Sequence, residues 1–211
     1  MSKAELNVAQ TLEMILHVSK GMISKTDFLT KADQQIGDGD HGIGMQRGFT
    51  AVHDKMSGQS FAKVEDVIKT VGITMMASVG GAAGAIFGTL FKGGAKNMGA
   101  FEKFDSKALT LMLVDGLDAI KKRGGANVGD KTMIDALEPA SLKAKALEGK
   151  SLSESLKEVA EAARLGMEET KKFIATTGKA KTLGERSIGY SDPGSISMYF
   201  ILDFMREYVT N

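Results

Sequence analysis

The chain has 211 residues, 43% of them hydrophobic and 25% charged, a balance that excludes intrinsic disorder and leaves room for a sizeable core. Its 27 basic and 26 acidic residues give a net charge of +1, and only five of the cations are Arg, so no overall field favours nucleic acid or a membrane surface. The absence of Cys excludes disulfides, thiolate nucleophiles and Cys-ligated zinc, while 25 Gly against 2 Pro point to places where backbone must approach closely.

The first residues, Met1 to Glu5, carry no basic-then-apolar leader pattern, which predicts a cytoplasmic protein. Helical spacing then runs from end to end. Val8, Leu12, Ile15 and Leu16 begin it; Phe61, Val64, Ile68, Val71 and Met75 repeat it, as do Leu109, Met112, Leu113, Leu117 and Ile120. Leu152, Leu156, Val159, Ala163, Met167 and Ile174 mark a long amphipathic helix with Lys and Glu opposite. No stretch alternates with period two for long enough to predict a strand. The pattern predicts an all-α fold of eight helices, at about 4–34, 42–57, 60–78, 81–97, 106–123, 131–148, 151–177 and 193–210, within one domain spanning 1–211. Val71 to Phe91 holds 21 residues without a charge, enough to span a bilayer, but five are Gly and Gly80-Gly81 would break a helix near its centre. A membrane span is therefore not expected.

In up-and-down order, the connections between helices 1–2, 3–4, 5–6 and 7–8 lie at one end of the bundle. They read IGDGDHGIG (36–44), SVGGAAG (78–84), GGANVGDKT (124–132) and GKAKTLGERSIGYSDPGS (178–195). The opposite end has plain turns, SGQS (57–60), 98–105 and EGK (148–150). A helix C-cap explains one Gly per loop, not three or four. The chemistry is therefore expected at the Gly-rich end.

Asp33, Asp38 and Asp40 fall within eight residues, followed by His41. Carboxylates so close repel unless a cation neutralises them, which suits a hard metal; a solvated loop using Asp for turn and cap hydrogen bonds is the alternative, and spacing alone leaves both open. An EF-hand starting at Asp38 fails, because Phe49 stands where Glu is required. His41 could touch a phosphate or cap the following helix, whereas His17 and His53 sit in ordinary helical surroundings. GGANVGDKT approaches a phosphate-binding P-loop, but Asp130 is inserted before Lys131 and no strand precedes it, so only an anion site at a Gly-rich helix start survives. SVGGAAG is a second such start, with tight helix packing as the alternative. In the last loop Asp192-Pro193 caps a helix, which leaves Lys179, Lys181 and Arg186 unexplained. Metal ligands, backbone donors and cations together suit a nucleoside diphosphate or triphosphate with Mg²⁺.

IGDGDHG, SVGGAAG followed by FGTLF, GDKTMIDAL and LGERSIGYSDPGS resemble, in order and over nearly the whole chain, the nucleotide-binding L subunit (DhaL) family of dihydroxyacetone kinase. The resemblance implies an eight-helix antiparallel barrel with the nucleotide at one end. It implies that Asp33, Asp38 and Asp40 hold two Mg²⁺ ions, and that His41, Gly42, Ile43, Gly44, Ala82, Ala83, Gly124, Met133, Lys179, Asp192, Pro193 and Gly194 surround ADP. Gly44, Ala83, Ala85 and Lys179 stand where the family usually has Asn, Ser, Pro and often Arg; Ala83 offers no hydroxyl, and Lys179 keeps charge without the bidentate fork. The family implies a phosphotransferase-dependent kinase in which Mg-bound ADP, or ATP once phosphorylated, is a coenzyme. It relays a phosphoryl group from an M subunit carrier to dihydroxyacetone on a K subunit, so this chain needs no catalytic nucleophile of its own. The implied partners are those two subunits, with room for a homodimer and with neither nucleic acid nor membrane. An ATP-dependent ketose kinase subunit and a non-enzymatic nucleotide-sensing module remain alternatives.

Overall fold

The computed structural model describes residues 3–211; Met1 and Ser2, the first two residues of the expected domain, lie outside them. Among the described residues the chain forms nine α-helices: α1 (Val8–Ser24), α2 (Thr26–Ile36), α3 (His41–Met56), α4 (Val64–Ser78), α5 (Gly81–Ala95), α6 (Ser106–Gly124), α7 (Ile134–Ala146), α8 (Leu152–Glu169) and α9 (Pro193–Thr210). From α3 to α9 each helix packs on the next, α9 returns to α1, and α1 packs on α3, so the bundle closes into a ring. The short α2 lies outside α1 against α3 and α9. Counting α1 and α2 as one bent rod gives the expected eight. The side chains turned into the ring are mostly Met, Phe, Leu and Val, among them Met14, Met45, Met75, Phe49, Phe87 and Phe91, all fully or almost fully buried. The flexible thioethers fill the irregular space between helices of unequal length.

Several boundaries differ from those predicted. The first helix breaks at Lys25 (φ −94°, ψ 6°), whose N–H turns back to the Met22 carbonyl while the Thr26 hydroxyl bonds Ile23 O at 2.6 Å. Residues 3–7, the described residues before Val8, are not helical. Lys3 N–H donates to Val209 O, Leu152 N–H donates to Ala4 O, and Leu6 exchanges two bonds with Phe104. This segment thus laces α9, α8 and the approach to α6 together at the plain-turn end, and its pairing with Phe104 is the sole β-bridge among the described residues. The sixth expected helix starts late, at Ile134, because Lys131 takes a left-handed conformation (φ 60°). The seventh ends at Glu169 in a 3₁₀ turn (Thr170–Lys172), and a second 3₁₀ segment (Lys179–Ser187) lies within the last loop.

The charge-free stretch from Val71 to Phe91 folds back on itself, and no helix among the described residues is long and apolar enough to cross a membrane. Two of its glycines, Gly72 and Gly88, serve the crossing of α4 and α5. A methyl group on Gly72 would stand 2.4 Å from Lys92 N and 2.8 Å from Gly88 O, and one on Gly88 would stand 2.8 Å from Gly72 O. Two backbones touch there, and at Gly72 the three nearest atoms all belong to backbone, so no side chain can move aside to make room. Gly72→Ala should therefore cost about 1–3 kcal/mol of stability, which thermal unfolding would register as a fall in Tm with little change in the folded helical signal.

Candidate functional site

The four Gly-rich connections meet at one end of the ring around a cavity of about 430 Å³. Its acidic side comes from the turn between α2 and α3. Asp33, on the last turn of α2, is buried, and its Oδ2 accepts the His41 N–H at 3.1 Å; Asp38 and Asp40 are exposed. One oxygen from each of the three carboxylates lies within 4.8 Å of the others. An all-oxygen set of this kind suits a hard divalent cation. Lys179, arriving from the distant last loop, donates to both Asp38 and Asp40, the latter at 2.9 Å. Its hydrogen bond holds the Asp38 carboxyl below the ordinary carboxylate range, and the two acids hold the Lys179 ammonium above its own. Three carboxylates against one ammonium leave the cluster net negative.

The facing wall is made of helix starts. At the plain-turn end α1, α6 and α8 begin under side-chain caps from Asn7, Asp105 and Ser151. At the cavity α3 and α5 begin without one. The turn into α5 runs through Gly80 (φ 77°) and Gly81 (φ 56°), left-handed values that exact little from Gly and leave bare backbone on the cavity. Apart from the His41 N–H, which Asp33 accepts, the first-turn N–H groups and the positive ends of the helix dipoles are therefore available to an anion. α9 begins beside them at Asp192-Pro193-Gly194, where Asp192 accepts the Ser195 N–H at 2.7 Å. Between the two walls Val79, Ile86, Phe87 and Met133 supply an apolar surface. The cavity therefore has carboxylates for a metal, backbone donors for phosphates and a flat apolar surface for a base.

Two further groups are shaped by burial. The His41 imidazole bonds Ser197 Oγ at 2.7 Å and tilts against the Phe87 ring; burial pushes its pKa below the usual histidine range, which keeps it neutral. Burial pushes the Asp192 carboxyl up to about 7, although the bonds from Ser195 and the nearby Lys131 ammonium pull it down.

Most of the residues anticipated from sequence line this cavity: Asp33, Asp38, Asp40, His41, Gly44, Ala82, Ala83, Met133, Lys179, Asp192, Pro193 and Gly194. Three do not. Gly42 is buried where α3 crosses α2, Ile43 is 56% exposed, and Gly124 ends α6 beside Ile86. The cavity also takes residues not anticipated, notably Arg47, Ile86, Phe87, Lys131 and Thr177. Arg47 lies one turn beyond Gly44 on the same face of α3, and Ile86 and Phe87 lie one turn beyond Ala82 and Ala83, so helical periodicity carried the signal. Arg47 reaches across to bond Val79 O at 2.8 Å, which holds the α4–α5 turn against α3.

Folded Asp192 keeps its proton to about pH 7, against 3.8 for an ordinary Asp. Between those values the native state binds more protons at this site than the unfolded chain, so the Asp192 contribution to stability falls as pH rises from about 4 to about 7. Asp192→Asn should remove that component: the difference in denaturant midpoint between wild type and variant should shift steadily in the variant's favour across this range.

A profile of the DAK2 domain matches residues 35–207. Over 177 residues the chain is 42% identical to the PEP-dependent dihydroxyacetone kinase 1 ADP-binding subunit DhaL of Listeria innocua, covering 84% of each chain. Over 184 residues it is 36% identical to the DhaL subunit of Escherichia coli, covering 86% of this chain and 88% of that one. In fold it is similar to the dihydroxyacetone kinase of C. freundii, solved in complex with AMP-PNP and Mg²⁺: TM-score 0.74 and 24% identity, over 94% of this chain and 34% of that longer one. Asp38 and Asp40 of the acid cluster, all four Gly-rich connections and the last helix start lie within the matched span, with Asp33 just before it, and the chain belongs to the DAK2-domain family, among the DhaL proteins.

Proposed function

We propose that this chain is the ADP-binding subunit of a PEP-dependent dihydroxyacetone kinase, working in the cytoplasm with two partner subunits. The observation that carries this reading is the meeting, in one cavity, of three clustered carboxylates with helix starts that lack side-chain caps. Bound Mg-ADP would supply the phosphoryl-relay chemistry between an M-type carrier and a hydroxyl of dihydroxyacetone held on a K-type subunit.

The chain's own residues bind and orient. Asp33, Asp38 and Asp40 hold two Mg²⁺ ions, with Asp33 fixed by its bond from the His41 N–H. The backbone at Gly80 to Ala83, at His41 to Gly44 and at Pro193-Gly194 lines the phosphates. Ile86, Phe87 and Met133 give the base an apolar seat and keep water from it, with Gly124 at the rim. Lys179 adds a cation beside the metal ligands, where charge develops during transfer. The neutral His41, engaged with Ser197, orients the site and carries no phosphoryl group. Positioning and charge neutralisation account for phosphoryl transfer without a protein nucleophile. The similarity to DhaL subunits over more than four-fifths of both chains supports the coenzyme mode over an ATP-consuming enzyme.

Native mass spectrometry of the purified protein, with no nucleotide added, should find ADP and two Mg²⁺ retained. An empty protein that exchanges Mg-ATP reversibly would instead indicate an ATP-dependent or sensing subunit. By titration calorimetry, Asp38→Asn should weaken Mg²⁺-dependent ADP binding by about tenfold or more while circular dichroism stays unchanged. Unaltered affinity would remove Asp38 from the metal site.

A further inference from the structure

Lys131 lines the cavity, but its left-handed backbone and the engagement of its ammonium with backbone carbonyls are not explained by metal and nucleotide binding. Among the described residues it is the one non-glycine with positive φ, and it is only 2% exposed. A lysine is rarely buried unless its ammonium is fully engaged. Here Nζ donates to the carbonyl oxygens of Thr170 (2.5 Å) and Tyr190 (2.6 Å). The carboxylates of Asp192 and Asp135 lie close enough to act on its charge. Neither accepts a hydrogen bond from Nζ: Asp192 accepts the Ser195 N–H, and Asp135 the N–H groups of Gly129 and Thr132.

The two carbonyls mark the start and the end of the segment 170–192, the excursion that carries Lys179 to the acid cluster. The neighbours of Lys131 hold the same excursion. Asp130 accepts the Thr176 hydroxyl at 2.5 Å on its carboxylate and the Thr176 N–H at 3.3 Å on its carbonyl, while Thr132 O accepts the Ser195 hydroxyl at 2.7 Å in the first turn of α9, just after the excursion. The ends are also joined directly, Asp192 N–H to Thr170 Oγ1 and Gly189 N–H to Lys171 O. Between residues 171 and 192 only Ala175 and Ser187 are buried, while Ile174, Ile188 and Tyr190 stay more than 40% exposed. So little apolar burial leaves the place of this segment to its polar ties.

We propose that Lys131 is a positioning residue, whose ammonium clasps both ends of the 170–192 segment and so holds Lys179 where it reaches Asp38 and Asp40, with the Asp130–Thr176 bond as a second tie. Its effect on nucleotide affinity rests on the function proposed above; the clasp itself does not. Hydrogen–deuterium exchange on the full chain without nucleotide tests the clasp. In Lys131→Met the amides of 173–191 should exchange at least tenfold faster, with those of α3 to α6 unchanged. By calorimetry the Mg-ADP dissociation constant should rise at least tenfold. Because the chain has no Cys, Lys131→Cys can be alkylated in denaturant with 2-bromoethylamine and refolded, which restores a lysine-like ammonium at this position alone. That form should recover both readouts to within threefold of wild type, which general destabilisation would not predict. Should Lys131→Met fail to fold, Thr176→Val should loosen the same segment to a smaller extent. Wild-type protection of 173–191 in the folded variant, or faster exchange spread evenly over all helices, would overturn the clasp. If wild-type protein binds no Mg-ADP, the proposed function fails while the exchange comparison still decides the role of Lys131.

Discussion

Closure of the helix ring is the constraint on which the rest of this molecule depends. Eight antiparallel rods can bury their apolar faces together only if the last returns to the first, and α9 does so along α1. Along that seam Phe204 meets the edge of the His17 ring at a centroid distance of 6.3 Å, and Glu207 approaches His17 at 3.6 Å. A closed ring has two distinct ends, and every second connection falls at the same one. At the plain-turn end α1, α6 and α8, though not α4, begin under side-chain caps, and residues 3–6 lace that end together. The other end is left with helix starts that α3 and α5 do not cap with their own side chains.

That asymmetry links the fold to the chemistry. An uncapped helix start is a cost in an isolated helix, and here two of them border one cavity that also holds three carboxylates, α3 following directly on the turn that carries Asp38 and Asp40. Opposite charges separated by the width of a small molecule make a site for something that is itself polar at both ends, such as a metal-bound phosphate chain. The apolar strip of Val79, Ile86, Phe87 and Met133 gives that chain a direction, since only a ligand with a flat apolar group uses it. Lys179 is the exception to this layout, a cation supplied from a segment with almost no buried apolar surface of its own, and the geometry around Lys131 explains how so poorly packed a segment keeps a fixed place.

Much of the fold and site was legible in the sequence because its signals are local. Apolar spacing gave the helices, and Gly and Asp clusters in alternate connections identified the functional end. Twelve of the fifteen anticipated site residues line the cavity, since most lie in the Gly-rich turns themselves. The misjudged boundaries have local causes that periodicity does not carry: a turn at Lys25 within an uninterrupted apolar pattern, and a left-handed Lys131 where a helix start looked natural. Gly42 and Gly124 carry the same letters as the cavity glycines, yet one serves a helix crossing and the other ends a helix at the rim. Composition cannot separate those uses, because they differ only in what lies opposite.

By itself, then, the sequence determined the all-α class, the polarity of the bundle, the acid cluster and the family resemblance. Each of these is written in residues close together in the chain, where spacing alone dictates which side chains share a turn or a face. Tertiary structure alone decided that Lys179 reaches Asp38 and Asp40 across some 140 positions, that Arg47 secures the turn before α5, and that Lys131 faces inward to backbone carbonyls. These depend on how the ring closes and which turns it brings together. Hydrogen bonds between distant segments follow from that closure and leave no periodic trace in the residues that make them.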